Sequence, residues 1–384
     1  MKTARIALSL AAATLIVLAL GAGSPSAADR GSYIVVLKSS VADPGVVAAE
    51  QAGRFGGTVS HVYRYALKGY SLSLPTAAVA ALAADPRVQY VEADGVVQAS
   101  TTQTGATWGI DRIDQRSLPL SGTFTYFATG SGVTAYIIDT GIRFTHTQFG
   151  GRAVKGVDEV TPGGSASDCN GHGTHVSGTV GGSTYGVAKS VRLVAVRVLG
   201  CNGSGSTSGV IAGVDWVTGN HAAGTPAVAN MSLGGSASSS LDTAVNNSIN
   251  DGVSYAIAAG NGDVFGNPQN ACNFSPARVA AAMTISATDS TDTKASWANY
   301  GSCVDWFAPG VSITSAWYTS DSATRTISGT SMATPHTAGV AALYLQGNPT
   351  ASPATVRTAL FNLTTKGIVK SSNTTNNHLL FTNL

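Results

Sequence analysis

Three short runs carry most of the chemistry available to this chain: Ile137-Ile138-Asp139-Thr140-Gly141, Asn170-Gly171-His172-Gly173-Thr174-His175-Val176 and Gly329-Thr330-Ser331-Met332-Ala333-Thr334-Pro335. An aspartate, a histidine and a serine are the parts of a nucleophilic triad. A serine hydroxyl is a weak nucleophile at neutral pH. An adjacent imidazole can take its proton, and a carboxylate then fixes the imidazole tautomer and stabilises its charged form. Each residue alone has a plainer explanation: a strand-end Asp caps a turn, a His beside Gly sits on the surface, and Ser331 is the N-cap of an Ala-rich helix. Together, the order Asp, His, Ser is one of the chain orders known for such triads. An α/β-hydrolase esterase would need its GxSxG elbow ahead of the Asp and His, and here Ser331 comes last. Read as a metal pair, His172 and His175 lack both an HExxH motif and an acid at suitable spacing.

These residues must be held by regular elements. Strand-length apolar runs at 134–138, 192–198, 227–231, 254–258 and 284–287 alternate with helical segments at 210–216, 242–250 and 332–345. That alternation predicts an α/β domain with a doubly wound, mainly parallel sheet covered on both faces. Ligands on such sheets bind at the carboxyl ends of the strands, and Asp139 and Gly260-Asn261 each follow a strand run directly. Upstream, strand patterns at 33–37, 70–74 and 88–92 and helical ones at 44–54 and 76–84 predict a small α+β module. It ends in the run from Gly95 to Thr102, which has little periodicity and many small residues and suits a cleavable linker. The expected organisation is a leader over 1–28, a module over 29–100 and the α/β domain over 101–384.

Only 11% of the 384 residues are charged and 45 are glycine, so the chain is apolar and rich in tight turns. A net charge of +2 without a basic or acidic run argues against nucleic acid or an anionic membrane as partner. Lys2 and Arg5 precede an apolar stretch over 6–20 and the small residues Ser26, Ala27 and Ala28. This reads as an export signal cut after Ala28 or one or two residues earlier, with no membrane association after its removal. Four cysteines in an exported chain suggest two disulfides, and sequence logic leaves three pairings open. Without a CxxC pair a zinc site is not expected.

The three runs resemble the subtilisin-like serine proteases, and within them the proteinase K branch. GHGTH at 171–175 and GTSMATP at 329–335 are highly specific, and the runs at 103–115 and 201–217 look like aqualysin-like members of that branch. The resemblance implies a secreted serine endopeptidase working through a covalent acyl-enzyme, with Asp139, His172 and Ser331 as the triad. It implies Asn261 as an oxyanion donor beside the helix start at Ser331. Gly203-Ser204-Gly205 and Ser232-Leu233-Gly234 match segments that pair with an extended peptide through main-chain hydrogen bonds. Ala258, Ala259 and Gly260 would line a roomy apolar first pocket that favours large hydrophobic or aromatic residues.

By the same resemblance Asp111, Asp114 and Gln115 match one calcium site, and Asp305 with the carbonyls of Ala280 and Ala282 a second; the plainer alternative is carboxylates that cap turns. The implied disulfides are Cys169 with Cys201 and Cys272 with Cys303. His175 and His336 would be packing residues, while His61 and His221 look solvent-facing. Ser177 and Thr337 stand where relatives often carry Ala and Val. The module over 29–100 resembles inhibitory propeptides, so the expected partners are protein and peptide substrates and the chain's own propeptide, which inhibits the precursor and aids a slow, non-local parallel fold. The enzyme is expected to be a monomer.

Overall fold

The computed structural model describes residues 29–95 and 99–384. The expected leader lies outside the described residues, as do Val96, Val97 and Gln98 of the expected linker. Two compact units divide the chain, Met1–Gln98 and Ala99–Leu384.

In the first unit the order is β1 (Arg30–Leu37), α1 (Pro44–Phe55), β2 (Thr58–Tyr63), β3 (Gly69–Pro75), α2 (Val79–Ala83) and β4 (Val88–Ala93). The strands form one antiparallel sheet in the order β2-β3-β1-β4, a ferredoxin-like arrangement. Val35, Leu37, Tyr70, Leu72 and Leu74 of the sheet pack against Val47, Ala48 and Leu82 of the helices. Helix α1 starts where sequence rules place a start: Asp43 accepts the Gly45 N–H at 2.7 Å, Pro44 opens the helix, and Gly56 ends it at φ 71°. Strand β2 is absent from the sequence reading. It is a mostly exposed edge strand whose register shifts between Val59 and His61, which blurs the period-two pattern.

The second unit begins with β5 (Thr101–Thr104), α3 (Trp108–Ile113), β6 (Thr123–Tyr126), β7 (Thr134–Asp139), β8 (Ala153–Asp158), α4 (His172–Gly181), β9 (Arg192–Arg197) and α5 (Thr207–Asn220). It continues through β10 (Ala227–Met231), β11 (Gly235–Ser236), α6 (Ser239–Asp251), β12 (Ser254–Ala258), β13 (Phe274–Ser275), β14 (Met283–Thr288) and β15 (Trp306–Pro309). The last elements are β16 (Ile313–Ala316), β17 (Thr324–Ile327), α7 (Thr330–Gly347), α8 (Pro353–Leu363), β18 (Thr365–Lys366) and β19 (His378–Leu379). Thr101 and Thr102, expected in the linker, instead open β5, because a run of threonines pairs readily with the facing Thr123–Tyr126 strand.

The main sheet has the order β18-β19-β15-β14-β12-β10-β7-β9-β8, parallel except for the terminal β18–β19 pair. Successive side chains of each strand enter opposite cores. Ala135, Ile137, Leu193, Ala195, Val228 and Ala256 face the layer built by α4, α7 and α8, whereas Tyr136, Ile138, Val194, Val196, Ala229, Met231 and Ile257 face that of α5 and α6. Strand order reverses between β7 and β10, so a crevice opens there at the carboxyl ends. Among the described residues no helix is long and apolar enough to cross a membrane.

Ile257 is fully buried in the middle of β12. Ile257→Ala should destabilise the second unit by about 2–5 kcal/mol. Denaturant unfolding checks this, and a change below about 0.5 kcal/mol would contradict the two-faced core.

Candidate active site

Asp139 ends β7 with its side chain fully buried. A buried carboxylate is costly unless every lone pair is engaged. Its Oδ1 accepts the Thr140 N–H at 2.7 Å, and the His172 Nδ1–H lies 2.8 Å from Oδ1 and 2.9 Å from Oδ2. With Nδ1 so committed, Nε2 is left as the proton acceptor of the neutral ring. The His172 side chain keeps 26% of its exposure. Burial works against protonating it, but the charge and hydrogen bond of Asp139 and the charge of Asp168 outweigh this, holding the imidazolium pKa above its ordinary 6.5.

His172 is the first residue of α4, and small residues let that helix sit against the β7 end. A Cβ on Gly173 would meet the Gly141 carbonyl at 2.1 Å, and one on Gly171, at φ 112°, would meet the Trp317 ring at 2.4 Å. The start of α4 is held by a residue that sequence reasoning missed. Asp168 Oδ1 accepts from Thr140 Oγ1, Asn170 N and Gly171 N, each at 2.9 Å, while Oδ2 accepts from Thr174 N at 2.9 Å and Thr174 Oγ1 at 2.6 Å. Thr140 Oγ1 in turn accepts the Gly173 N–H at 2.9 Å. A single carboxylate therefore ties the Asp139 loop to the His172 helix. The only sequence signal for it was an Asp two residues before Asn170-Gly171-His172.

Ser331 lies in the first turn of α7. Its Oγ donates to the Ser232 carbonyl at 3.0 Å, and Ser232 Oγ donates to the Ser331 carbonyl at 2.8 Å. Pro335 explains the second bond, because it has no N–H to return to the carbonyl four residues back. Among the described residues Ser331 Oγ makes no hydrogen bond to His172; such bonds are often loose before substrate arrives. Asn261 is anchored by its oxygen, which accepts Thr330 N at 2.8 Å and Thr330 Oγ1 at 2.9 Å. That fixes the amide with Nδ2 as a free donor next to the helix start.

Two adjoining clefts share the walls Leu233 to Ser236. One, of about 390 Å³, is lined by His172, Ser232 and the facing Gly203-Ser204-Gly205 segment. The other, of about 290 Å³, is lined by Ala258, Ala259, Gly260, Asn261 and Ser331, together with Phe274, Ala277 and Asn299, which the sequence reading did not include. Gly260, at φ 102°, has no room for a side chain, since a Cβ would meet Asn299 Nδ2 at 2.4 Å.

The remaining residues separate clearly. Cys169 is bonded to Cys201 and Cys272 to Cys303. His175 Nε2 lies between the carbonyls of Ile313 and Arg325, and His336 Nδ1 against that of Met332; burial pushes both pKa values down to about 4. Ser177 and Thr337 place their hydroxyls on Gly173 O and Trp306 Nε1. His61 is exposed. His221, read as solvent-facing, is buried instead, with Nδ1 on Asp251 Oδ2 at 2.8 Å and Nε2 on Thr225 O at 2.9 Å. Asp251, at the end of α6, and the turn at Thr225 engage both ring nitrogens and so remove the need for water.

The two candidate metal sites differ. Asp111 is buried and accepts from Ser121 N, Ser121 Oγ and Gly122 N, and Gln115 Oε1 shares the Ser121 N–H. Nearby, Asp114 Oδ1 is buried without a partner among the described residues, and burial, reinforced by the charge of Asp111, pushes its pKa up to about 6. An orphaned buried carboxylate oxygen among oxygen donors fits a hard cation. The second set does not fit: Asp305 Oδ2 accepts Thr284 N at 2.8 Å, while the Arg357 guanidinium pairs with Asp305 Oδ1 and also donates to Ala282 O at 3.2 Å. Arg357 comes in from α8, far along the chain, where sequence reading could not place it. Ala280 is exposed beside this pair.

The His172 geometry has a direct readout. Proton NMR titration should place its midpoint above 6.5, and Asp168→Asn should move that midpoint down, since a nearby negative charge is lost. An unchanged midpoint would mean that Asp168 acts on His172 through the backbone alone.

Comparison with known proteins agrees with this arrangement. The Subtilase family profile matches residues 130–380 and the Peptidase inhibitor I9 profile residues 32–100. An extracellular serine proteinase of Thermus sp. (strain Rt41A) is 56% identical over 92% of this chain and 89% of its own. Alkaline serine exoprotease A of Vibrio alginolyticus is 52% identical over 86% of this chain and 61% of its own. The crystal structure of a cold-adapted subtilisin-like serine proteinase superposes with a TM-score of 0.69 at 54% identity, covering 72% of this chain and 98% of that one. With the fold, the inhibitor-type module and most of the chain shared, this protein belongs to the subtilase family of serine peptidases.

Proposed function

We propose that the chain is the precursor of an extracellular endopeptidase in which Ser331 Oγ attacks the scissile carbonyl while His172 Nε2 takes its proton. The observation that carries this reading is the buried Asp139 carboxylate gripping His172 Nδ1, with Ser331 at a helix start on the same cleft system. The tetrahedral oxyanion would be met by Asn261 Nδ2 and the backbone amides at the start of α7. Loss of one such donor typically costs on the order of a hundredfold or more in turnover. Collapse expels the amine, which takes the proton back from His172, and leaves an acyl-enzyme; water then repeats the sequence to release the acid. Export is supported by the extracellular name of the Thermus relative and by the leader-like start of the chain.

The extended substrate would lie between Gly203-Ser204-Gly205 and Ser232-Leu233-Gly234, with its first side chain against Ala258, Ala259 and Gly260. Phe274 and Ala277 in that second cleft support a preference for large apolar or aromatic residues. The module over 29–100 would act as inhibitor until self-cleavage near Ser100-Thr101 releases the domain over 101–384, and the product would act as a monomer. Intact mass, casein hydrolysis and peptide anilide assays of wild type beside Ser331→Ala test this. Wild type should shed residues 29–100, digest casein and release anilide faster after Phe or Leu than after Asp. The variant should stay full length with turnover down by about a millionfold. Equal behaviour of the two proteins would remove Ser331 from the mechanism.

Calcium is proposed at Asp111, Asp114 and Gln115, where it would neutralise the Asp114 carboxylate that burial disfavours. Because calcium binds the ionised carboxylate, protons compete below the Asp114 pKa of about 6. Without metal, the raised pKa means that stability is lost as pH rises from the ordinary carboxylate value of 3.8 to about 6, and the full cost is present above that. Added calcium should therefore raise the Tm of the Ser331→Ala chain more at pH 8 than at pH 5, and Asp114→Asn should erase that difference. A calcium effect that ignores both pH and Asp114 would place the ion elsewhere.

A further inference from the structure

The segment from Phe274 to Ala282 forms part of the second cleft through Phe274 and Ala277 and then turns into β14. Two side-chain contacts hold its near half: Arg278 pairs with Asp242 at 2.6 Å, and Thr284 Oγ1 donates to Ala277 O at 2.8 Å. Its far end is held at Asp305, whose side chain keeps only 9% of its exposure. There a carboxylate oxygen and the Ala282 carbonyl, two hard oxygens from separate stretches of chain, are spanned by one guanidinium.

We propose that Arg357 is the built-in cation of this seat, so that the end of the cleft wall is fixed without metal. Guanidinium keeps its charge at any ordinary pH, and its planar fork reaches two acceptors at once through Nε and Nη2. One carboxylate and one guanidinium also close the local charge balance, as each Asp305 oxygen has a donor. A divalent ion between the same oxygens would stand against that permanent positive charge. Burial raises the Asp305 carboxyl pKa above its ordinary value, and Arg357 opposes that rise by charge and hydrogen bond without cancelling it. Arg357 is carried by α8, so the charge that closes the seat comes from the chain itself. Calcium dependence then belongs to the Asp111 and Asp114 end of the unit alone.

This inference is independent of the peptidase reading, and Ser331→Ala serves only to prevent self-digestion. Calcium stoichiometry of the full-length Ser331→Ala chain is measured by titration calorimetry, then again with Asp305→Asn, Arg357→Gln and both. The expected result is no calcium lost in Asp305→Asn, one ion gained per chain in Arg357→Gln, and that gain abolished in the double variant. Calcium lost from the parent on Asp305→Asn, or no gain in Arg357→Gln, overturns the proposal. Should Arg357→Gln fail to fold, Tm measurements on the Asp114→Asn chain decide: no calcium-induced rise supports the built-in cation, and a rise that Asp305→Asn removes overturns it.

Discussion

A fully buried negative charge at the end of β7 sets the terms for the rest of the second unit. A carboxylate buried at Asp139 needs donors, and among the described residues the two that reach it are the next backbone N–H and the His172 ring. Both must arrive from fixed directions. The parallel sheet provides the first by ending β7 at the reversal of strand order, where the chain turns away from the sheet. A helix beginning at His172 provides the second, and it can approach only because Gly171 and Gly173 carry no Cβ. Asp168 then closes the loop between the two pieces, accepting five hydrogen bonds that would otherwise leave a loop and a helix start unsatisfied.

The same economy governs the nucleophile. Ser331 stands at the beginning of a long, almost wholly buried helix, so its backbone is held by the core rather than by a loop. Pro335 leaves the Ser331 carbonyl without its helical partner, and Ser232, just past β10, fills the vacancy. Through that exchange the strand on the other side of the switch point is tied to the nucleophile. Asn261, just past the end of β12, is oriented by Thr330, the residue before Ser331. Three strand ends and two helix starts therefore converge on one crevice, and each contact that positions a reacting group also satisfies a polar group that the fold would otherwise leave exposed or unpaired.

How much of this is legible in the sequence depends on how local each signal is. Asp139, His172, Ser331 and Asn261 stand in runs whose small neighbours and flanking apolar periods mark them as strand ends and helix starts. The alternation of strands and helices likewise foretells the parallel sheet. Asp168 was passed over because an Asp ahead of Asn-Gly reads as an ordinary turn, and only the folded chain reveals that one of its five donors comes from Thr140 in the Asp139 loop. Phe274 and Ala277 reach the second cleft from the two-residue strand β13 and the turn after it, and Asn299 from a separate loop, none of which carries a period, and β2 escaped notice because its edge position and bulge weaken alternation. His221 shows the converse error: it reads as solvent-facing, whereas Asp251 and Thr225 enclose it.

The two oxygen-rich seats make the general point about electrostatics. In sequence they are the same kind of object, acidic residues near carbonyl-bearing turns, and both resemble calcium sites. What separates them is the sign of the charge already present. At Asp111 and Asp114 two carboxylates approach each other, and one of their oxygens has no donor, so the folded chain has a deficit of positive charge. At Asp305 a single carboxylate meets a guanidinium delivered by α8, and the balance is closed from within. Whether a site calls for a metal is thus fixed by the whole neighbourhood's charge and hydrogen-bond count, and a ligand pattern alone cannot supply that count.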